Sequence, residues 1–232
     1  MRFIILTLVA MLIGCAEQSS EIPSELAAPE SASTPPKPDA YYEYLWCKEG
    51  SNFSEDNFRG LVADWNEIND GLSQVPIAAF AYDPSGWEDP DFDGLWVLRW
   101  EDEQSMEAGW AEYLANDSQT KLDAANPEVL ECGAEKGINR FGFNTYIPKE
   151  TPETFNPNNS PYYLTNQFCS LNKGKSPQDL RDVVMNHFLP AVLAASEANP
   201  ASSYWFKVEA PQFTPPEDNS FDFNWVNFWQ TA

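Results

Sequence analysis

One aromatic pattern occurs twice in this chain and predicts a duplicated structural unit. Both occurrences read Phe-Asp-x-x-Trp-Val-x-x-Trp, at residues 92–100 and again at 221–229. Earlier positions pair as well, Cys47 with Cys169 and Ser54 with Ser176. Self-similarity that holds its register over this length indicates an internal repeat. The second unit stops where the first continues, so the sequence predicts a second repeat that is incomplete at its C-terminus.

Hydrophobic periodicity predicts the same order of elements in both units. We expect a first repeat over residues 41–148, a linker over 149–161 and a second repeat over 162–232. The first reads as strand, helix, strand, strand, helix and strand, with Ser54 as the N-cap of its first helix. In the second, a capping box at Ser176 begins the helix. The predicted fold class is α+β with antiparallel sheets.

This order of elements resembles the ferredoxin-like, dimeric α+β barrel superfamily, in which two βαββαβ units join their sheets into one barrel. The resemblance covers residues 41–232 and lies in the order and length of elements, without a signature motif. It implies helices on the outside and a cavity between the two sheets. Members of this superfamily differ in chemistry, and the resemblance implies one of three cases. Some members oxidise small molecules without a cofactor, some bind haem, and some have no known chemistry.

The resemblance also implies a disulfide bond. In a ferredoxin-like sheet the first and last strands are antiparallel neighbours, and Cys47 and Cys132 lie at adjoining ends of those strands. A disulfide between them suits an exported protein. A bond between Cys47 and Cys169 is the alternative, since connectivity does not follow from sequence alone. With the first pairing, Cys169 stays unpaired, and we expect its partner in the missing part of the second repeat.

The N-terminus resembles a bacterial lipoprotein signal. Arg2 precedes a short apolar run that ends in a lipobox at residues 12–15, so residues 1–14 are the predicted signal peptide and Cys15 the lipidated residue. An ordinary secretory signal with a chance cysteine is the alternative. Residues 15–40 are rich in Ser, Pro, Ala and Glu and predict a disordered tether. The predicted location is the cell envelope, with the lipid bilayer as partner; Ala16 indicates the outer membrane if the source is Gram-negative.

The charge balance limits the partners. The chain has 13 basic and 36 acidic residues and a formal net charge of −23. Nucleic acid is therefore excluded as a direct partner. Basic partners stay open, but an acidic surface that only keeps the protein in solution explains the same composition.

Two candidate ligand-binding features stand out. Asp89, Asp91 and Asp93 alternate before a glycine, as in the opening of a calcium loop, although Trp100 takes the twelfth position where an EF-hand needs a bidentate carboxylate. A solvated acidic turn is the alternative to a calcium site. His187 is the only histidine. It reads either as a large half-buried side chain in an apolar helix stripe or as a haem ligand or general base.

The sequence contains no assembled catalytic motif. The tryptophans of the repeated pattern either line a ligand cavity between the sheets or form core beneath the helices. We therefore predict a non-catalytic envelope lipoprotein that binds a small apolar or aromatic ligand or a protein partner, with no cofactor except a calcium ion. The alternative is a cofactor-independent or haem-dependent oxidoreductase of the α+β-barrel type.

Overall fold

A computed structural model describes residues 36–230, except residues 86, 87, 138 and 160. The described residues from 37 to 230 form one unit. The predictions for Cys15, the signal peptide and most of the tether lie outside the described residues. In the described part, no helix is long and apolar enough to cross a membrane.

The described chain is α+β, as predicted. Its strands are β1 (Ala40–Glu49), β2 (Ala78–Tyr82), β3 (Gly94–Trp100), β4 (Leu130–Glu131), β5 (Arg140–Tyr146), β6 (Tyr163–Cys169), β7 (Trp205–Pro211) and β8 (Phe223–Trp229). Its α-helices are α1 (Glu55–Asp70), α2 (Glu103–Ala115), α3 (Ser118–Ala125), α4 (Pro177–Val183) and α5 (Leu189–Ala198). A π-helical turn, Val184–Phe188, joins α4 to α5.

All strands belong to one antiparallel sheet with the order β2-β3-β1-β5-β7-β8-β6, and β4 pairs with the end of β1. The predicted division into residues 41–148 and 162–232 therefore falls inside a continuous sheet, at the pairing of β5 with β7. The sheet curls. Tyr82 at the end of β2 and Tyr162 just before β6 come from opposite edges, yet their ring centroids are 6.1 Å apart.

The period-two alternation of each strand sorts its side chains onto two faces. One face packs against the helices; on β1 it carries Tyr41, Glu43, Leu45 and Cys47. The opposite face lines the inside of the curl, which we call the inner face. Aromatic rings from strands far apart in sequence meet there, such as Tyr44 and Phe143.

Side-chain caps explain where the two repeat-equivalent helices begin. Ser54 accepts a hydrogen bond from the backbone N–H of Asn57 and starts α1. Ser176 and Asp179 form the predicted capping box at the start of α4. Each cap satisfies an amide that the first helical turn leaves without a partner. Both predicted helix starts are confirmed.

The predicted disulfide bond is confirmed. Cys47 and Cys132 are joined, with a sequence separation of 85 residues. The bond ties β1 to the segment that precedes β5 and closes the helix-covered side of the N-terminal half. The alternative pairing is wrong, because Cys169 is a free, half-buried thiol. Burial raises the pKa of that thiol above its ordinary value.

Candidate functional site

A cavity of about 80 Å³ lies between the sheet and helices α1 to α3. One water molecule needs roughly 10–15 Å³, and a drug-sized ligand occupies a pocket of about 300–1,000 Å³. The cavity therefore suits a few waters or a very small molecule in its present shape. Apolar side chains of the sheet and helices dominate its walls, and the large ones are Leu61, Trp65, Trp96, Leu98, Trp100, Trp110 and Tyr113.

The repeated aromatic pattern supplies the floor of this cavity. Trp96, Leu98 and Trp100 alternate along β3 and face the helices. The predicted role as core beneath the helices is confirmed, whereas the cavity that these rings line lies between the sheet and the helices and not between two sheets. Trp65 of α1 contacts Trp96 edge to face, with ring centroids 5.2 Å apart.

A buried carboxyl group adjoins this tryptophan wall. Glu43 is 1% exposed. Its Oε2 accepts hydrogen bonds from Trp110 Nε1 at 2.8 Å and from Trp100 Nε1 at 3.3 Å. Its Oε1 lies 3.2 Å from Arg140 Nε, and the Arg140 guanidinium lies 5.1 Å from the centre of the Trp110 ring. Donors therefore hold the carboxyl group at both oxygen atoms.

Burial raises the pKa of Glu43 above its ordinary value of 4.5, against the lowering effects of Trp110, Arg140 and Trp100. A carboxyl group in an apolar setting with a raised pKa is a typical general acid or base, because its proton affinity approaches that of the groups it serves. Arg140 and the two indole N–H groups fix its position. Glu43 adjoins the cavity through Trp100 and Trp110, which line it, whereas Asp123 and Glu135 line the cavity directly.

A short polar chain adds hydrogen-bonding groups to the cavity wall. The Tyr113 hydroxyl donates to Gln119 Oε1 at 3.2 Å, and Gln119 Nε2 donates to Asp123 Oδ1 at 2.8 Å. Burial raises the pKa of Tyr113, and the negative charges of Asp123 and Glu135 raise it further. Tyr113 therefore stays neutral at physiological pH and acts as a hydrogen-bond donor.

His187 does not line the cavity between the sheet and helices α1 to α3. His187 lies in the π-helical turn and is exposed, so the prediction of a half-buried side chain in an apolar stripe is wrong. Phe188 takes the space toward the sheet instead, with ring centroids 5.1 Å from Phe206 and 4.9 Å from Trp225. Aromatic packing thus fills the room beneath the chain's only imidazole. These residues do not fit a haem with His187 as its axial ligand.

Two of the three aspartates of the predicted calcium loop accept hydrogen bonds from backbone amides. Asp89 Oδ1 accepts from the backbone N–H of Asp91 at 2.8 Å, and Asp93 Oδ2 accepts from the backbone N–H of Glu49 at 2.9 Å. Among the described residues, no three His, Cys, Asp or Glu side chains are grouped so as to hold a metal ion. The predicted calcium site is therefore not assembled.

Sequence analysis missed Glu43 and its partners. The signal was present, since Glu43 is a charged residue among tyrosines in a predicted strand, at a position in phase with buried neighbours. The sequence alone could not identify the partners of Glu43, because Trp110 and Arg140 lie on other elements, α2 and β5.

No known family description matches this sequence, and no curated protein matches it.

Solved structures share part of its architecture. A protein of Fusobacterium nucleatum that is provisionally named a monooxygenase aligns with 82% of this chain and 75% of its own, at 12% identity and a TM-score of 0.44. A mutant chlorite dismutase from Candidatus Nitrospira defluvii, in complex with cyanide, aligns over 84% and 78%, at 12% identity and a TM-score of 0.43. A protein of Lactobacillus acidophilus, also provisionally named a monooxygenase, reaches a TM-score of 0.41 at 6% identity over the same shares.

These neighbours correct two predictions. Their names are names of enzymes, which contradicts the main prediction of a non-catalytic binding or structural module. The prediction of no cofactor, with calcium as the one exception, is corrected on the same ground, since chlorite dismutases recur among the neighbours. At such identities and TM-scores the similarity assigns no activity, cofactor or residue role to this chain. Its chemistry has to be inferred from its own side chains.

Proposed function

We propose that this protein is an oxidoreductase of the α+β-barrel type that acts on a small, largely apolar or aromatic molecule beside the tryptophan wall. The observation that carries this proposal is the buried Glu43 carboxyl group, which is held by Arg140 and by Trp100 and Trp110, two side chains of the cavity wall. Oxidation is the chemistry that the resemblance in order of elements implies. Such a reaction needs an apolar pocket and a positioned base, and the site contains both.

Glu43 has a defined role in this proposal. It accepts a proton from an activated CH₂ group of the substrate, and the resulting carbanion is electron-rich enough to react with dioxygen. The peroxide anion that forms takes the proton back from Glu43. Loss of water then breaks the O–O bond and the second C–H bond and leaves a carbonyl group. The balance is RH₂ + O₂ → RO + H₂O, with dioxygen as the oxidant.

The wall residues bind and orient the substrate. Tryptophan faces offer stacking surface to a planar molecule and exclude water, which strengthens the electrostatic interactions of the carboxylate. Because the cavity holds only about 80 Å³, a substrate with a ring must displace Trp110 or Trp65 as it enters. At the other side, the Tyr113 hydroxyl oxygen can accept a hydrogen bond from a polar group of the substrate while its proton is donated to Gln119.

Oxygen consumption by the purified protein tests the proposal. The substrates are small aromatic compounds with an acidic CH₂ group, and the variant is Glu43→Gln, which keeps the shape and removes the base. We expect a rate loss of about 10²-fold or more, the usual contribution of general base catalysis. The control is Glu131→Gln, at an exposed position of β4. Equal rates in wild type and Glu43→Gln would refute the role of Glu43.

A haem titration provides a second arm. If a Soret band appears with the wild-type protein and disappears in His187→Ala, the chemistry belongs to the C-terminal helix and the proposal for the tryptophan cavity fails. A Soret band that survives in His187→Ala would show that His187 does not ligate the haem. That result is compatible with Glu43 as the base.

We also infer that the protein is a lipid-anchored protein of the cell envelope, in the outer membrane if the source is Gram-negative. The lipobox that ends at Cys15 and the Ser- and Pro-rich stretch up to residue 40 support this location. In this arrangement the lipid bilayer is a partner through the acyl anchor only.

Finally, we propose that the two halves are ferredoxin-like repeats. Equivalent backbone contacts support this proposal. Asp93 N–H donates to the carbonyl of Cys47 at 2.9 Å, and Asp222 N–H donates to the carbonyl of Cys169 at 2.9 Å. The repeated Phe-Asp pair thus begins the same strand-to-strand contact in each half, which gives a structural reason for the pattern.

A further inference from the structure

The inner face of the curled sheet carries a second polar cluster, which the proposed reaction does not use. Lys207 and Glu209 alternate on β7, and both side chains are fully buried, at 0% exposure. Their charged atoms, Nζ and Oε1, are 2.7 Å apart. Two charges removed from water in this way are costly unless every donor and acceptor among them is matched.

Glu209 is well supplied with donors. Both of its oxygen atoms lie within hydrogen-bond distance of the Tyr44 hydroxyl, at 3.0 and 3.1 Å. Asn224 Nδ2 donates to Oε2 at 2.8 Å, and Lys207 adds its ion pair. The carboxylate therefore shares its charge among three neighbours.

The Lys207 ammonium group has fewer hydrogen-bond partners than the Glu209 carboxylate. Its contact with Glu209 is close but misaligned, so Nζ has no aligned hydrogen-bond acceptor among the described residues. Its other neighbour is the ring of Tyr42, with Nζ 3.2 Å from the ring centroid. A ring face attracts an ammonium group but accepts no conventional hydrogen bond from it.

Two further buried donors on the same face also have no acceptor in the described part of the chain, Arg99 Nε and Trp205 Nε1. They lie close to Lys207 through shared neighbours. Arg99 is the register partner of Tyr42 across β1 and β3, and Trp205 stacks on Phe228, whose ring centroid lies 5.6 Å from Lys207 Nζ.

One carboxylate, Glu209, faces both Lys207 and Arg99, and no acidic side chain of the described residues forms an ion pair with Arg99. Burial lowers the pKa of Lys207, and the charge of Glu209 opposes that effect. Buried donors without an acceptor are costly, so the cluster favours an added acceptor, and an anion beside Lys207 would also stabilise its charged form.

We propose that the inner face is a binding site for a small monocarboxylate, held between Lys207, Arg99 and Trp205. A carboxylate offers acceptors to these three donors and an opposite charge to Arg99. Lys207 is fully buried against the rings of Tyr42 and Phe228, so the smallest carboxylates, formate and acetate, are favoured over larger anions. This site lies on the opposite face of the sheet from Glu43, so it is separate from the proposed reaction.

Binding of acetate to the whole protein tests this proposal. The titration follows line broadening of ¹³C-labelled acetate and the melting temperature, at constant ionic strength set with a bulky sulfonate salt. We expect saturable binding by wild type and an apparent Kd at least tenfold weaker in Lys207→Met, which keeps the length of the side chain but removes its charge. Lys149→Met is the matched control, because Lys149 is also buried but its amine donates to Ser196 Oγ and the carbonyl of Tyr204.

Arg99→Gln is the second variant, in case Lys207→Met does not fold, and we expect a similar loss of affinity from it. A lysine with a structural role alone would lower the melting temperature of Lys207→Met and leave the acetate response unchanged, which would overturn the proposal. Absence of saturable binding by wild type, or an equal loss in Lys149→Met, would overturn it as well. The oxygen-consumption assay of Glu43→Gln is independent of every one of these outcomes.

Discussion

The Tyr44 hydroxyl donates to the Glu209 carboxylate across 165 residues of sequence, at 3.0 Å, and so links β1 directly to β7. The link crosses the inner face of the sheet, where both residues are buried. A hydrogen bond to a charged group in such a place contributes more than one on the surface.

We therefore expect Tyr44→Phe to lower the free energy of unfolding by about 1.5–3 kcal/mol, since it removes a donor from a buried carboxylate and keeps the ring. The edge-to-face contact with Phe143 remains available to phenylalanine. Urea denaturation measures the change. Tyr146→Phe is the control, because the described residues offer its half-buried hydroxyl no hydrogen-bond partner; we expect a change within about 0.5 kcal/mol. Equal effects of the two changes would contradict the importance of the link.

The second prediction concerns a glycine that touches the tryptophan wall. A Cβ atom at Gly109 in α2 would lie 2.6 Å from Cη2 of Trp100, so Gly109→Ala must displace that ring or the helix. We expect a loss of about 1–3 kcal/mol of stability, as in overpacked cores. At Gly60 in α1 the nearest atom to such a Cβ is 3.9 Å away, so Gly60→Ala should stabilise by about 0.5–1 kcal/mol. Opposite signs in thermal unfolding would confirm the contact, and two stabilising substitutions would exclude it.

The third prediction concerns pH. Burial raises the pKa of Glu43 in the folded protein above 4.5, so the folded state holds this proton at pH values where the unfolded chain has lost it. The contribution of Glu43 to stability is therefore complete below pH 4.5 and is lost as the pH rises through the raised pKa. Denaturation midpoints of wild type and Glu43→Gln should be measured between pH 4 and 8. As the pH rises, the midpoint of wild type should fall relative to that of Glu43→Gln.

Activity should change in the opposite sense, because only the ionised carboxylate accepts a proton. The acid limb of the rate profile of wild type should lie above pH 4.5. If the residual activity of Glu43→Gln shows the same limb, another group is the base.

The fourth prediction concerns the disulfide bond. Replacement of both Cys47 and Cys132 by serine should cost about 4 kcal/mol, because the bond closes a loop of 85 residues and restricts the unfolded chain. Guanidinium denaturation of the double variant measures the loss. Cys169→Ser, which removes a thiol with no bond, should change stability by less than about 1 kcal/mol. A double variant as stable as wild type would show that other contacts already fix β1 to the segment before β5.

The fifth prediction tests the anchor. Cys15→Ser removes the thiol that a lipoprotein transferase modifies, so the protein should accumulate as an unlipidated precursor and leave the detergent phase of a membrane extract. Cys169→Ser, which leaves the lipobox intact, should stay with the membranes. Equal membrane retention in wild type and Cys15→Ser would refute lipidation.

Local signals predicted much of the fold. The strands around Trp96 and Trp225 follow from period-two alternation, and the helix starts at Ser54 and Ser176 follow from side-chain capping, which acts within three residues. The π-helical turn was not predicted. It lies just before Pro190, whose missing N–H prevents a regular helical hydrogen bond at that point.

Local sequence patterns could not predict the candidate site. Glu43 and Trp110 are 67 residues apart, and they meet only because β1 lies beneath α2. Lys207 and Glu209 alternate on one strand, but their burial depends on the curl of the sheet. Sequence patterns identify charged residues in strands, whereas partner choice depends on strand order and curvature.

The pairing of β5 with β7 joins the two halves through only four residue pairs, whereas β1 with β3 and β6 with β8 each pair over seven. Fewer shared backbone hydrogen bonds make a weaker boundary between two stronger blocks, and such boundaries often separate cooperative units in native-state hydrogen exchange. The buried side-chain bond from Tyr44 to Glu209 spans this boundary. Opening of one block while the other stays folded is therefore opposed by interior side-chain contacts, this hydrogen bond and aromatic pairs such as Phe143 with Phe213, in addition to the short backbone ladder.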